Sequence, residues 1–181
     1  AEECLLLSRN FPYIILRPTG VYGPREKDYF LMLKTVKMGF DIGAGFKPQH
    51  LTFIYVKDLV DAAFLALESE VKNKAYFVTD GDVYTDKEYT RLVKEVLGRK
   101  YVLRIKIPLW LLKIISFISE GISKLTKEPS TLNRDKYKIM KQRNWTCDIK
   151  PLVDDLHFAP KYDLRRGLEE SVAWYKENGW L

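Results

Sequence analysis

Apolar and polar positions along the chain alternate between two rhythms. Phe11-Pro12-Tyr13-Ile14-Ile15-Leu16 is a short continuous apolar run rich in β-branched and aromatic residues, which predicts a strand buried on both faces of a parallel sheet. Leu51 to Val56, Ala75 to Thr79 and Tyr101 to Ile107 predict three more strands. Between them the apolar period lengthens to that of a helix. One helix is predicted from Asp28 to Met38, stopped by Gly39, and another from Lys57 to Leu67 with a wide apolar face. In a third, Thr85 is the N-cap and Glu88 its capping-box partner, with the end at Gly98. Asp58 reads as the N-cap of the second helix. Asp41 to Gly45 is a turn or a short strand, and Ala1 to Ser8 is helical in character.

Strand and helix taken in turn are the signature of an α/β fold with right-handed crossovers. The character changes after Tyr101. Pro108 opens a long hydrophobic helix, Lys127 to Thr131 is a polar break, and Asn133 to Gln142 is a short helix. Asp148 is the expected N-cap of Ile149 to Leu156, and Asp163 closes the segment that caps a last helix from Leu164 to Asn178.

Composition narrows the class. At 181 residues and 46% hydrophobic content, the chain has material for one core or slightly more. The net charge of +6 invites a polyanion partner, but the bases are scattered among acids along helices without a block, so no nucleic-acid partner is expected. Ile107 to Ile118, the longest apolar stretch, is interrupted by Lys113 and is too short to span a bilayer, so no membrane partner is expected either. Cys4 and Cys147 are far apart, which fits a reducing cytoplasm and no disulfide framework. His50 and His157 each stand alone, so no metal site is expected. Asp154-Asp155 and Glu169-Glu170 read as solvated faces. No G-x-S-x-G elbow and no P-loop appears.

The candidate chemistry sits at the end of the first strand. Ligands of open α/β sheets bind beyond the carboxyl ends of the strands, which is where Pro18 to Pro24 falls. Pro18 fixes φ, and Gly20 and Gly23 permit close backbone approach. Arg25 has Glu26 and Asp28 close by in sequence as candidate partners.

Leu16-Arg17-Pro18-Thr19-Gly20-Val21-Tyr22-Gly23-Pro24-Arg25 resembles the strand-end motif of the extended short-chain dehydrogenase/reductase superfamily, which includes the NAD-dependent epimerase/dehydratase family. Phe53 to Ala63 looks like its second landmark, a strand running directly into a small-residue helix. Ile107 to Leu112 through Glu128-Pro129, and Asn144 to Asp148 through Leu156 to Pro160 and on to Trp174-Tyr175, look like the 3β-hydroxysteroid dehydrogenase and dihydroflavonol-reductase branch.

The resemblance implies the C-terminal portion of a Rossmann-like, doubly wound parallel sheet plus a mostly helical substrate-binding domain. Residues 1–100 would hold the last elements of the NAD(P)-binding domain, with a substrate-domain insertion near 24–52, and 101–181 the helical domain. It implies NAD or NADP as cofactor, held by Pro18, Thr19, Gly20 and Val21, with Tyr22, Arg25 and Tyr55 facing the substrate. The glycine-rich phosphate turn and the Tyr-x-x-x-Lys pair of the superfamily are expected upstream of Ala1. No catalytic residue is therefore assigned within the chain, which is expected to be inactive alone.

The implied activity is a cytoplasmic NAD(P)-dependent oxidoreductase acting on a small apolar alcohol or carbonyl compound, with a homodimer as a possible assembly. A nucleotide-sugar epimerase or dehydratase is the alternative. Gln49-His50-Leu51-Thr52 lacks the Arg that grips a diphosphate in many such enzymes. A non-catalytic cofactor-sensing protein is a third reading.

Overall fold

The computed structural model describes residues 11–126 and 133–181. The helix expected over Ala1 to Ser8 and the break at Lys127 to Thr131 lie outside them. Strand β1 (Ile14–Pro18) runs parallel to β6 (Lys74–Val78), and β2 (Gly20–Tyr22) parallel to β5 (Phe53–Tyr55). Thr19 joins the two pairs: its amide donates to the Val78 carbonyl at 3.2 Å, whereas that of Gly20 donates to Thr52 at 3.3 Å.

The first strand departs from its expectation. It starts at Ile14 rather than Phe11, runs through Pro18, and is half-buried to exposed instead of enclosed on both faces. β6 is the one strand bonded to it among the described residues, so a single edge is covered. Pro18 is tolerated because it ends the strand and owes no amide to the ladder.

The run 51–56 divides because its two ends answer to different partners. β4 (His50–Leu51) is antiparallel to β7 (Tyr84–Thr85), while β5 belongs to β2. Thr52, between them, donates its hydroxyl to the Trp145 carbonyl at 2.6 Å. Residues 41–45 resolve as strand: β3 (Phe40–Ala44) runs parallel to β8 (Leu103–Ile107). Three parallel pairs among helices make the fold α/β.

Helix α1 (Lys27–Lys37) is capped by the Glu26 carboxylate, which accepts from the amides of Asp28 at 2.8 Å and Tyr29 at 2.5 Å. Helix α2 spans Val56–Glu68 and α3 spans Asp86–Val96. The capping box expected at the start of α3 is formed, Thr85 accepting from the Glu88 amide at 3.2 Å and Glu88 from the Thr85 amide at 2.7 Å. Then come α4 (Leu109–Thr126), α5 (Arg134–Met140), α6 (Lys150–Leu156) and α7 (Leu164–Glu177), the last capped by Asp163 as expected.

Asp58 is not the N-cap of α2. The helix begins two residues earlier, after Tyr55, with no side-chain cap. Asp58 is fully buried, and its Oδ2 accepts the amides of Lys161 at 3.0 Å and Tyr162 at 2.9 Å. Two backbone donors more than a hundred residues away thus claim a carboxylate that local pattern assigns to its own helix. Asp148 is displaced by one position. Ile149 is the cap of α6, and Asp148 reaches past it to accept from the Lys150 amide at 2.8 Å.

The acidic pairs are not all solvated. Asp155 accepts from Lys74 Nζ and the Tyr76 hydroxyl, both at 2.6 Å, which pins α6 to β6. Burial, then Asp155, push the Tyr76 phenol up to about 12, while Lys74 and Tyr76 hold Asp155 below the usual carboxylate range. Glu170 pairs with Lys57, joining α7 to α2.

Among the described residues two buried clusters form the core. One unites β2 and β5 with α1, α3 and α7 through Tyr22, Phe53, Leu33, Tyr89, Leu168 and Tyr175. The other packs β5 and β6 against α2 and α6 through Ile54, Ala62, Val78, Leu152 and Phe158. Each fully buried large side chain contributes about 1.5–3 kcal/mol.

Candidate functional site

The end of β1 presents an uncharged edge. Pro18 is exposed, and Thr19, Gly20 and Val21 are half-buried in succession behind it. The amides of Thr19 and Gly20 are already donated inside the protein, so a ligand along this edge meets the Pro18 ring, the Thr19 side chain and Val21 instead. The Thr19 hydroxyl itself lies 3.4 Å from the Val78 carbonyl. Gly20 is required by what covers it. A β-carbon there would run into the Tyr29 hydroxyl and stand 3.0 Å from Phe53 Cδ1.

Tyr22 and Tyr55 come together, inside the core. Their ring centroids are 5.5 Å apart, and both side chains are buried. The Tyr22 hydroxyl donates to the Asp163 carbonyl at 3.2 Å, and burial together with the nearby Asp80 carboxyl drives its phenol far above the ordinary value. Tyr55 stacks at 4.4 Å on Tyr162. Arg25 lies apart, exposed, with φ of 69° and its guanidinium 6.0 Å from the Trp174 ring centroid. Glu26 is spent on the cap of α1 and Asp28 pairs with Lys136 at 2.7 Å.

The turn after β6 holds a group that the strand-and-turn pattern leaves unremarked. Asp80 is nearly buried, and its carboxylate accepts from the Asp82 amide at 3.1 Å and the Tyr84 hydroxyl at 2.9 Å. Tyr84 in turn accepts from the Leu164 amide at 3.3 Å, so the turn is clasped to the start of α7. Burial raises the Asp80 carboxyl to about 6, against the pull of the Tyr84 and Asp82 hydrogen bonds. It lies two residues after Val78, whose carbonyl receives the Thr19 amide. An acid directly after an apolar strand, followed by a Tyr four residues on, is the sequence signal for it.

A Tyr-x-x-x-Lys spacing also occurs inside the chain, at Tyr137 and Lys141, contrary to the expectation that it lies upstream only. Tyr137 lies on the short helix α5, which packs on α4, and Lys141 caps its end, with Nζ 6.0 Å from the Tyr137 ring centroid. A cleft of about 380 Å³ lined by Val56, Lys57, Val60, Asp61, Lys161 and Tyr162 includes none of the expected site residues. Its two lysines are paired, with Glu170 and with Asp61 respectively, so it offers no uncommitted cation. Among the described residues no cluster of His, Cys, Asp or Glu is placed to hold a metal. Cys147 is a free thiol, and Cys4 lies outside the described residues.

Residues 7–109 match the sequence model of the 3-beta hydroxysteroid dehydrogenase/isomerase family. The chain is 28% identical to short-chain dehydrogenase/reductase family 42E member 1 of Bos taurus, over 91% of this chain and 44% of that protein. It is 24% identical to the decarboxylating sterol-4-alpha-carboxylate 3-dehydrogenase of Saccharomyces cerevisiae, over 94% of this chain and 51% of that one. The chain thus spans about half the length of these relatives. The dTDP-glucose 4,6-dehydratase of Bacillus anthracis, solved in complex with NAD, superimposes with a TM-score of 0.67 at 17% identity, covering 92% of this chain and 45% of that one.

Proposed function

The chain belongs to the 3-beta hydroxysteroid dehydrogenase/isomerase family, and we propose that it forms part of an NAD(P)-dependent oxidoreductase acting on a small apolar alcohol or carbonyl compound. When bound, the nicotinamide dinucleotide supplies the hydride donor or acceptor. The observation that carries the reading is the uncharged edge at Pro18, Thr19 and Val21. It suits the neutral nicotinamide ring, and with the Thr19 and Gly20 amides committed it is held rigid by β6 and the Thr52 carbonyl. The role of these residues is to position that ring and to exclude water from one side of it.

Two features favour an apolar substrate over a sugar nucleotide. His50-Leu51, which carries no Arg, is occupied by pairing with Tyr84-Thr85. Arg143, which reaches this region from the C-terminal part, donates to the carbonyls of Ala44 at 2.7 Å and Lys47 at 3.3 Å. The first offers no cation to a diphosphate, and the second has its Nη1 committed to backbone carbonyls. The sterol substrate in the yeast relative's name is in keeping with this choice.

The test is cofactor binding and turnover by the protein that carries this chain, read by reduced-cofactor fluorescence against apolar ketones and sugar nucleotides. Reduction of apolar ketones is expected. Turnover of sugar nucleotides alone would replace the substrate class, and absence of cofactor binding would overturn the reading.

A further inference from the structure

The turn that follows β2 puts an arginine where a glycine fits best. Gly23, Pro24, Arg25 and Glu26 close through the Glu26 amide, which donates to the Gly23 carbonyl at 3.3 Å. Proline in the second place and φ of 69° in the third are the pattern of a type II turn, whose third residue is ordinarily Gly or Asn. Such outliers persist only where the surroundings enforce them, and they gather at ligand clamps.

The enforcement comes from the last helix. Tyr175 of α7 is buried, and its hydroxyl hydrogen is shared between the Gly23 and Glu26 carbonyls, each at 2.8 Å. These two residues bracket Pro24 and Arg25, so one buried hydroxyl fixes both ends of the turn. Phe30 and Trp180 pack on the Tyr175 ring, with centroids at 5.0 and 5.6 Å, and set its direction. The residue before it, Trp174, lies beside the Arg25 guanidinium.

The guanidinium so presented is uncommitted. Among the described residues it makes no ion pair and donates no hydrogen bond, because the acids on either side are engaged, Glu26 with the cap of α1 and Asp28 with Lys136. A planar guanidinium takes a carboxylate in two parallel hydrogen bonds, and an aromatic ring beside it fixes its plane. β2, three residues and roughly 10 Å long, separates this turn from the candidate cofactor edge at Thr19. We propose that Arg25, positioned by Tyr175, binds a carboxylate at the end of the substrate remote from its reacting carbon. The substrate is then an apolar alcohol or carbonyl compound with an acid group roughly 10 Å from the site of hydride transfer.

This rests on the proposed activity for the place of the reacting carbon, and the experiment separates the two. The protein that carries this chain is assayed with 9-oxodecanoate and with its methyl ester, and the ratio of their kcat/KM values is read. A ratio of about ten in favour of the acid is expected, carried by KM. Arg25→Gln and Tyr175→Phe are each expected to bring the ratio to about one, Arg25→Lys to restore part of it, and Lys27→Gln, one turn residue removed, to leave it as it is. Arg25→Gly takes the same φ freely, so it should lose the ratio without lowering the midpoint of urea unfolding, which a residue kept for folding would not do. If neither ketone is turned over, the proposed activity fails, and the carboxylate site is read from this chain alone by its Trp fluorescence on titration with decanoate. A saturable change in the wild type that Arg25→Gln abolishes is expected. The inference is overturned by a ratio near one in the wild type, by an equal loss in Lys27→Gln, by decanoate binding that Arg25→Gln leaves intact, or by an Arg25→Gln variant that loses affinity for reduced cofactor instead, which would give the anion to the cofactor.

Discussion

Tyr22 occupies the space that a side chain at Gly167 would need. A β-carbon at that position of α7 would stand 2.7 Å from Tyr22 Cζ and 2.8 Å from Cε2. The strand that follows the candidate cofactor edge is thereby packed directly on the backbone of the last helix. Gly167→Ala raises helix propensity, but the overlap dominates, and a net loss of about 1–3 kcal/mol is expected. Urea denaturation measures it. Combined with Tyr22→Leu the penalties should fall well short of additive, because the second change removes the first one's obstacle. Strict additivity would mean that the two positions do not meet.

Asp58 should be more sensitive to its acceptor atoms than to its charge. Asp58→Ala leaves the part-buried amides of Lys161 and Tyr162 without their acceptor, at about 1–3 kcal/mol for the pair. Asp58→Asn retains an acceptor oxygen and is expected to lose less. Equal losses in thermal unfolding would indicate that the charge, not the pair of hydrogen bonds, is what the site uses.

Asp80 gives a pH dependence of defined sign. Its carboxyl is raised to about 6 in the fold by burial and released near the ordinary carboxylate value on unfolding. The folded state therefore holds the proton more tightly. The stability this contributes is complete below about 3.8 and is lost as pH rises to about 6. Asp80→Asn should flatten that decline, which a difference between the two denaturation profiles from pH 4 to 7 measures. An unchanged slope would assign the dependence to other groups.

Pro18→Glu places a carboxylate on the exposed end of β1, outside both buried clusters. In the protein that carries this chain, affinity for reduced nicotinamide cofactor is expected to fall about tenfold, or 1.4 kcal/mol, with unfolding unchanged. Undiminished affinity would move the nicotinamide ring away from this edge.

The elements legible in the sequence are those specified locally. The capping box of Thr85 and Glu88 needs four residues, and so does the cap that Asp163 makes to Arg166. The strand cores at Ile14 to Leu16, Phe53 to Tyr55 and Tyr76 to Val78 follow from apolar runs. What was hidden depends on distant partners. Asp58 is claimed by Lys161 and Tyr162, Tyr22 by Asp163, and Asp155 by Lys74 and Tyr76. The motif at Pro18 to Val21 is visible because its chemistry is consecutive, whereas the Asp80 clasp joins a turn to a helix eighty residues on.

The pairing of β3 with β8 also constrains how the chain folds. The two strands are separated by roughly sixty residues, as are β1 and β6. Each ladder must close a long loop before it returns any energy, which slows folding. A polypeptide released after Gly98 would leave the edge of β3 without its strand partner and open to pairing with other chains. The last eighty residues thus set when the first hundred can finish folding.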